Sequence, residues 1–253
     1  MKPRAMVVQA AGSNRDLEAA QALDLAGAQA EIVPLQDLRA RCRRLADYHM
    51  LVLPGGFSYA DALGAGKLLA LDLNSDLAEQ VRVFVDSGKP VLGICNGFQA
   101  LLKAGLLAKP SATLTFNHSG HFECRWVTLA PRSRQCIWTR GLTESLYCPV
   151  AHGEGNFVAA DEATLSELAA SGQVALTYAR PDGLPADGAY PYNPNGSAAD
   201  IAGLCNSAGN VLGLMPHPEN HLFSYQHPRW TRGESGGLGL RLFQEGVKYA
   251  AQF

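Results

Sequence analysis

The chain has 253 residues, of which 47% are hydrophobic and 17% charged, and its formal net charge at pH 7 is −2. This composition excludes a disordered chain and provides no basic surface for a nucleic-acid backbone. The first apolar run, Ala5–Val8, is too short for a signal peptide or a membrane span, and the six cysteines are widely scattered. We therefore expect one domain over residues 1–253, with reduced cysteines, in the cytoplasm and without a nucleic-acid or membrane partner.

Short apolar runs without alternation predict strands that are buried on both faces of a parallel sheet. In chain order they are Met6–Gln9, Ile32–Leu35, Met50–Leu53 and Val91–Ile94. Helical periodicity fills the segments between them, and the clearest helix has an apolar face made of Leu77, Val81, Phe84 and Val85. Ser75 is its predicted N-cap and Gly88 its predicted end. This alternation predicts a doubly wound, flavodoxin-like α/β sandwich with a mostly parallel central sheet.

After Gly105 the pattern changes to short strands separated by loops, which predicts an antiparallel extension of the same domain. The predicted strands are Thr113–Asn117, Trp126–Leu129, a strand at Val150, Phe157–Ala159 and Val174–Tyr178. Residues 180–197 are rich in Pro, Gly, Asp and Asn and predict an exposed loop. Two further strands, near Ile201–Cys205 and Val211–Leu214, and a last helix over Leu238–Tyr249 complete the prediction.

Cys95 stands where a predicted buried strand, Val91–Ile94, runs directly into a helix, with Gly93 and Gly97 two residues to either side. A sharp strand-to-helix turn of this kind lifts a nucleophile above the edge of the sheet and requires flanking residues without bulk. The positive end of the helix dipole favours a thiolate there. The motif therefore predicts a nucleophile, whereas the alternative is an inert cysteine in a tight turn.

A candidate base and its orienting carboxylate follow another apolar strand. Val211–Met215 leads into Pro216, His217, Pro218 and Glu219. The two prolines exclude a helix and hold His217 in an extended turn. Because side chains at i and i+2 of an extended backbone share one face, Glu219 can orient the imidazole. A surface turn with an incidental histidine is the alternative for this segment taken alone.

An oxyanion site is predicted where the strand Met50–Leu53 ends in Gly55 and Gly56, since glycine lets backbone N–H groups approach a substrate oxygen closely. The N–H of Gly56 and that of Asn96, the residue after Cys95, are the predicted donors. A glycine pair after a strand is weak evidence on its own.

Together these three elements resemble the class I glutamine amidotransferases of the Cys-His-Glu type. Further segments are similar to the glutaminases that supply ammonia to an ATP-dependent synthetase in purine biosynthesis, and the resemblance extends over nearly the whole chain. The segments that carry it are Pro54–Gly66, Gly93–Gln99, Asn117–Ser119 with Phe122 and Arg125, Ala151–Gly155, Asn193–Ser197 and Met215–Glu219.

The resemblance implies that Cys95 attacks the side-chain amide of glutamine, that ammonia leaves, and that His217 acts as acid and base while water cleaves the thioester. It also implies that Gln99 lies near bound glutamine. This chain would carry no cofactor; ATP and magnesium would belong to a partner synthetase, with a small bridging subunit as a further partner. The family usually has Gly where Ala60 stands and Arg where Asn220 stands.

No metal site is expected. His217 and His221 have the spacing of a zinc protease, but Pro218 forbids the helix that such a site needs. His118, His121 and Cys124 recur every three residues, and a polar strand and loop explain them without a metal.

The sequence leaves two other classes of protein open. One is another cysteine hydrolase of similar α/β fold, in which the residue after the nucleophile is often His rather than the Asn96 found here. The other is a catalytically silent glutamine-binding module, against which the joint presence of Cys95, His217 and Glu219 argues.

Overall fold

The computed structural model of the protein describes residues 2–108 and 111–253. The strands in this part of the chain are β1 (Arg4–Gln9), β2 (Gln29–Pro34), β3 (Met50–Leu53), β4 (Val91–Ile94), β5 (Ala112–Thr115), β6 (Glu123–Pro131), β7 (Leu146–His152), β8 (Asn156–Ala159), β9 (Val174–Ala179), β10 (Ile201–Cys205) and β11 (Val211–Leu214). The α-helices are α1 (Asp16–Leu25), α2 (Leu35–Arg39), α3 (Lys67–Asn74), α4 (Ala78–Asp86), α5 (Asn96–Lys103), α6 (Glu162–Ala170) and α7 (Leu240–Ala250).

The parallel half of the main sheet has the strand order β2-β1-β3-β4-β11, which is the flavodoxin-like order predicted from the sequence. Every residue of β3, β4 and β11 is buried, as expected for strands covered on both faces. In register, Leu53 pairs with Gly93 and Ile94 with Leu214. The carboxyl ends of these three neighbouring strands therefore lie level at one edge of the sheet.

The antiparallel extension continues the same sheet through β10, β9, β6 and β7, giving nine strands in all, while β5 and β8 pair in a separate two-stranded sheet. Although β7 is four places beyond β11 in this order, the N–H of His217 donates to the carbonyl of Pro149 in β7 at 2.8 Å. The edge strand thus curls back to the carboxyl ends of the parallel strands.

The predicted N-cap of the helix α4 is wrong. Ser75 is the C-cap of α3, and α4 begins at Ala78 after Leu77, with no side-chain cap. The N–H groups of Ser75 and Leu77 both donate to the carbonyl of Asp72, so a tight connection replaces the cap. The predicted end is confirmed: α4 ends at Asp86, and Gly88 follows with φ of 80°.

Leu35 was predicted to end the second strand, but it begins α2. The apolar run crosses the boundary at Pro34, so hydrophobicity alone did not show where the strand ends. The loop 180–197 was predicted to be exposed, but three of its polar residues, Asn193, Asn195 and Ser197, are buried and hydrogen-bonded to each other and to the β7–β8 connection.

The described residues contain no helix that combines the length and the apolar character needed to cross a membrane. All six cysteines are free thiols.

Candidate active site

Cys95 occupies the turn between β4 and α5 with φ of 51° and ψ of −104°, a conformation that side chains rarely adopt. A Cβ atom on Gly93 would lie 2.7 Å from the carbonyl oxygen of Gly97, and one on Gly97 would collide with the carbonyl oxygen of Leu53. The N–H of Cys95 donates to the carbonyl of Leu214 at 2.7 Å. Close backbone packing on both sides therefore imposes the strained turn, as the sequence motif predicts.

His217 and Glu219 form a buried pair just beyond β11. Nδ1 of His217 lies 2.6 Å from Oε1 of Glu219. Burial lowers the pKa of His217, but the charges of Glu219 and Cys95 outweigh it and raise the pKa to about 10. Such an effect of Cys95 requires that its sulfur lie beside the ring. The structure thus brings the three residues together, and the surrounding charge favours the protonated imidazolium of His217.

Nε2 of His217, the ring nitrogen not used by Glu219, has no regular hydrogen-bond partner among the described residues. The carbonyl oxygen of Ala151, at the end of β7, lies 3.9 Å from Sγ of Cys95. No sequence pattern identified this backbone group, because a carbonyl carries no residue signature and the contact depends on the curl of the sheet.

The glycine pair after β3 packs directly against this site. A Cβ atom on Gly55 would lie 2.8 Å from Cε1 of His217, so the ring requires a glycine there. Gly56 has φ of 140°, and a Cβ on it would lie 2.7 Å from the backbone nitrogen of Asn14. In the part of the chain that the structure describes, the N–H groups of Gly56 and Asn96 donate to no protein acceptor. Both remain available to an oxyanion.

The side chains of Asn96 and Gln99 are buried in a network of hydrogen bonds. Oδ1 of Asn96 accepts from the N–H of Ser58 at 3.1 Å, and its Nδ2 donates to Asp61 at 2.9 Å and to Oε1 of Gln99 at 3.1 Å. Nε2 of Gln99 donates to the carbonyl of Glu154 at 2.6 Å. The predicted substrate-binding side chains therefore tie the glycine-rich loop and the β7–β8 connection to the first turn of α5.

The described residues contain no cluster of three His, Cys, Asp or Glu side chains that could hold a metal ion. His118, His121 and Cys124 form no such cluster; the carbonyl of His121 instead accepts from the side chain of Asn117 at 2.9 Å. A cavity of about 1010 Å³ lies between α4 and α6, and none of the predicted site residues lines it. This cavity is therefore separate from the predicted site.

Comparison with known proteins agrees with this geometry. Residues 2–250 match the model of the CobB/CobQ-like glutamine amidotransferase domain. The chain is 50% identical to a phosphoribosylformylglycinamidine synthase subunit PurQ of Treponema denticola, over 98% of this chain and 99% of the relative. It is 41% identical to the subunit of the same name from Methanococcus maripaludis, over 90% and 86% of the two chains.

Among solved structures, a chain of PurLQS from Thermotoga maritima superposes with a TM-score of 0.77 at 35% identity, covering 98% of this chain and 99% of that one. The match with the amidotransferase model spans almost all described residues, including the buried Cys-His-Glu site. The chain therefore belongs to the family of CobB/CobQ-like glutamine amidotransferase domains and, within it, to the group of phosphoribosylformylglycinamidine synthase subunits.

Proposed function

We propose that the chain is the glutaminase subunit of phosphoribosylformylglycinamidine synthase in purine biosynthesis. It hydrolyses glutamine to glutamate and ammonia, and a partner synthetase uses the ammonia to convert formylglycinamide ribonucleotide to formylglycinamidine ribonucleotide. The observation that carries this proposal is the 50% identity over nearly the full length of both chains to a relative of that name. The buried trio of Cys95, His217 and Glu219 supplies the chemistry that such a subunit requires.

In the proposed mechanism the thiolate of Cys95 attacks the side-chain carbonyl of glutamine, and the N–H groups of Gly56 and Asn96 stabilise the oxyanion. As the C–N bond breaks, the imidazolium of His217 gives its Nε2 proton to the leaving nitrogen, so ammonia departs and a glutamyl thioester remains. His217 then takes a proton from water, whose oxygen cleaves the thioester. Glu219 holds the ring and stabilises its charge.

Gln99 and Gly55 have supporting roles in this proposal. Nε2 of Gln99 donates one hydrogen to the carbonyl of Glu154, and its second hydrogen remains for a hydrogen bond to bound glutamine. Gly55 leaves the space that the ring of His217 occupies. Neither role requires a cofactor in this chain.

In this proposal ATP and magnesium bind to the partner synthetase, and a small bridging subunit is a further member of the complex. The solved Thermotoga maritima assembly, which is named PurLQS, supports a complex of this kind. The six free thiols fit a reducing cytoplasm, and the main sheet, which draws strands from Arg4 to Leu214, supports a single domain over residues 1–253.

Replacing Cys95 by Ala in the assembled synthase tests the proposal. Product formation with glutamine should be abolished, whereas formation with high ammonium at alkaline pH should survive, because free ammonia reaches the synthetase without the thioester step. Cys124→Ala, which removes an exposed thiol, is the matched control and should retain activity with both donors. Gel filtration checks assembly. An assembled Cys95→Ala complex that uses glutamine normally would exclude the thioester, and equal loss with both donors would indicate a structural role.

A further inference from the structure

Two buried imidazole rings lie at this site, and each has a nitrogen without a regular hydrogen-bond partner among the described residues. One is Nε2 of His217, the proposed proton donor, and the other is Nε2 of His152, the last residue of β7. His152 is 3% exposed, and it directly follows Ala151, whose carbonyl faces Sγ of Cys95. Buried polar atoms are seldom left unpaired in folded proteins. Nε2 of His152 is therefore an unsatisfied nitrogen on the residue next to the carbonyl that faces the nucleophile, and a bound molecule can complete it.

The hydrogen bonds of Asn117 decide which nitrogen of His152 carries the proton. Nδ2 of Asn117 donates to the carbonyls of His152 at 2.7 Å and His121 at 2.9 Å. Oδ1 is therefore the acceptor, and it accepts from the N–H of Gly155 and from Nδ1 of His152, both at 3.0 Å. Nδ1 must be protonated to donate, so in the neutral ring Nε2 presents a bare lone pair.

The ring of His152 stays neutral in this position. Burial, and after it the charge of His217, lower its pKa from 6.5 to about 3. The pKa values of the two histidines thus differ strongly, since the pKa of His217 is raised to about 10. Opposite shifts keep the two neighbouring rings in different protonation states. His217 carries a proton that it can give, whereas neutral His152 keeps a lone pair that can accept a hydrogen bond.

Three segments of the chain fix the orientation of this ring. The first segment contains Asn117, and the second contains Gly155. The ring of His152 packs so closely against Gly155 that a Cβ atom on this glycine would collide with the ring. The third supplies Asn195 and Ser197, which both donate to the carbonyl of Gly155, at 2.8 and 3.3 Å. Such an arrangement fixes the position of a nitrogen that binds nothing in the protein itself.

We propose that Nε2 of His152 accepts a hydrogen bond from the side-chain amide N–H of glutamine and holds that nitrogen while it leaves as ammonia, with Asn117 as the positioning residue. The inference rests on the proposed Cys95 thioester. The Sγ–C bond forms, the C–N bond breaks, and the proton that completes ammonia comes from His217. His152 gains and loses no proton. Its lone pair selects a leaving group that bears hydrogen, so this residue favours an amide over an ester.

Two substitutions distinguish the role of Nδ1 of His152 from the role of its Nε2. In His152→Asn the amide takes the place of Nδ1 and can still donate to Asn117, but the acceptor at Nε2 is lost. In His152→Gln the longer side chain places an amide oxygen near the position of Nε2 and restores an acceptor. Both variants, in the complete synthase complex, are assayed for glutamate release from glutamine and from glutamate γ-methyl ester, whose leaving oxygen carries no hydrogen.

We expect His152→Asn to lower kcat/KM for glutamine by roughly 10- to 100-fold, the loss of one buried hydrogen bond, and to leave the ester reaction nearly unchanged. His152→Gln should recover most of the activity with glutamine. Parallel losses on both substrates, or an unchanged rate with glutamine, would overturn the assignment. Cys95→Ala should abolish both reactions, and its failure to do so would count against the thioester and not against His152.

A measurement on intact His152 covers the case in which these variants do not fold. In ¹⁵N-histidine-labelled Cys95→Ser protein, one ring should show the Nδ1–H tautomer with an unprotonated Nε2. The Nε2 signal of that ring should move when glutamine saturates the site. A signal that is unaffected by glutamine would overturn the proposal equally well.

Discussion

Nδ1 of His217 lies 2.6 Å from Oε1 of Glu219, and both side chains are almost fully buried. A carboxylate in this position holds the ring and favours its charged form. We expect Glu219→Gln to keep the fold and to lose glutamine turnover by roughly two to four orders of magnitude, as in other triads that lose their acidic member. Steady-state glutaminase assays and a thermal melt check this. Near-normal turnover in a folded variant would show that Glu219 does not orient the base.

The same pair predicts a pH dependence of stability. The pKa of His217 is raised from 6.5 to about 10 in the folded protein, chiefly by Glu219 against the opposing effect of burial. The folded state therefore binds this proton more tightly, and the stabilisation is complete below pH 6.5 and lost as pH rises through about 10.

The melting-temperature difference between the parent protein and Glu219→Gln should accordingly be largest at the acidic end of this window and shrink towards its alkaline end. Differential scanning calorimetry at several pH values measures it. A difference that stays constant across the window would show that His217 is not the group that titrates.

An electrophilic glutamine analogue such as a diazoketone should label Cys95 alone. Two of the other thiols, Cys42 and Cys124, are exposed and lack a neighbouring base, and Cys136, Cys148 and Cys205 are 0% exposed, against 6% for Cys95. Burial raises the pKa of Cys136 and Cys148, whereas a hydrogen bond with Cys136 lowers that of Cys205, which has no surface exposure. Mass mapping identifies the adduct. Iodoacetamide, which needs no binding site, is the control and should modify the two exposed thiols; an analogue adduct on any cysteine other than Cys95 would contradict the prediction.

Ala60 has φ of 54° and ψ of 28°, the left-handed region, in the loop that follows Gly56. The resemblance to the amidotransferases implies glycine here, which fits this conformation, because a Cβ costs about 1 to 2 kcal/mol in that region. Ala60→Gly should raise the free energy of unfolding by up to about 1 kcal/mol, after the larger chain entropy of glycine in the unfolded state is subtracted.

The matched control for this prediction is Ala62→Gly, since Ala62 lies in the same loop with φ of −54° and ψ of 134°, where a side chain is unstrained. That variant should lose stability, because it gains only the entropy of the unfolded chain. Urea denaturation of both variants measures whether each substitution raises or lowers the free energy of unfolding. Equal effects of the two substitutions would show that the left-handed backbone of Ala60 carries no strain.

Much of the fold followed from local pattern. The runs that became β1, β3, β4 and β11 are apolar because both faces of a parallel sheet are covered, and that requirement is readable in four consecutive residues. The turn at Cys95 was readable for the same reason, since Gly93 and Gly97 are needed within two residues of it. The N-cap prediction for Ser75 was wrong because the position of a cap depends on where the preceding helix ends. The residues around Ser75 did not show that α3 extends to Asn74.

The sequence by itself determined the parallel strands, the elbow that holds Cys95 and the rigid turn that holds His217, because each depends on residues close together in the chain. Only the tertiary structure decided that β7 curls back so that Ala151 meets Cys95, which is 56 residues away in sequence, and that Asn117 fixes the tautomer of His152 from 35 residues away. Contacts at such separations follow from the curvature of the whole sheet and from hydrogen-bond partners that meet only after folding, and neither leaves a periodic trace in the sequence.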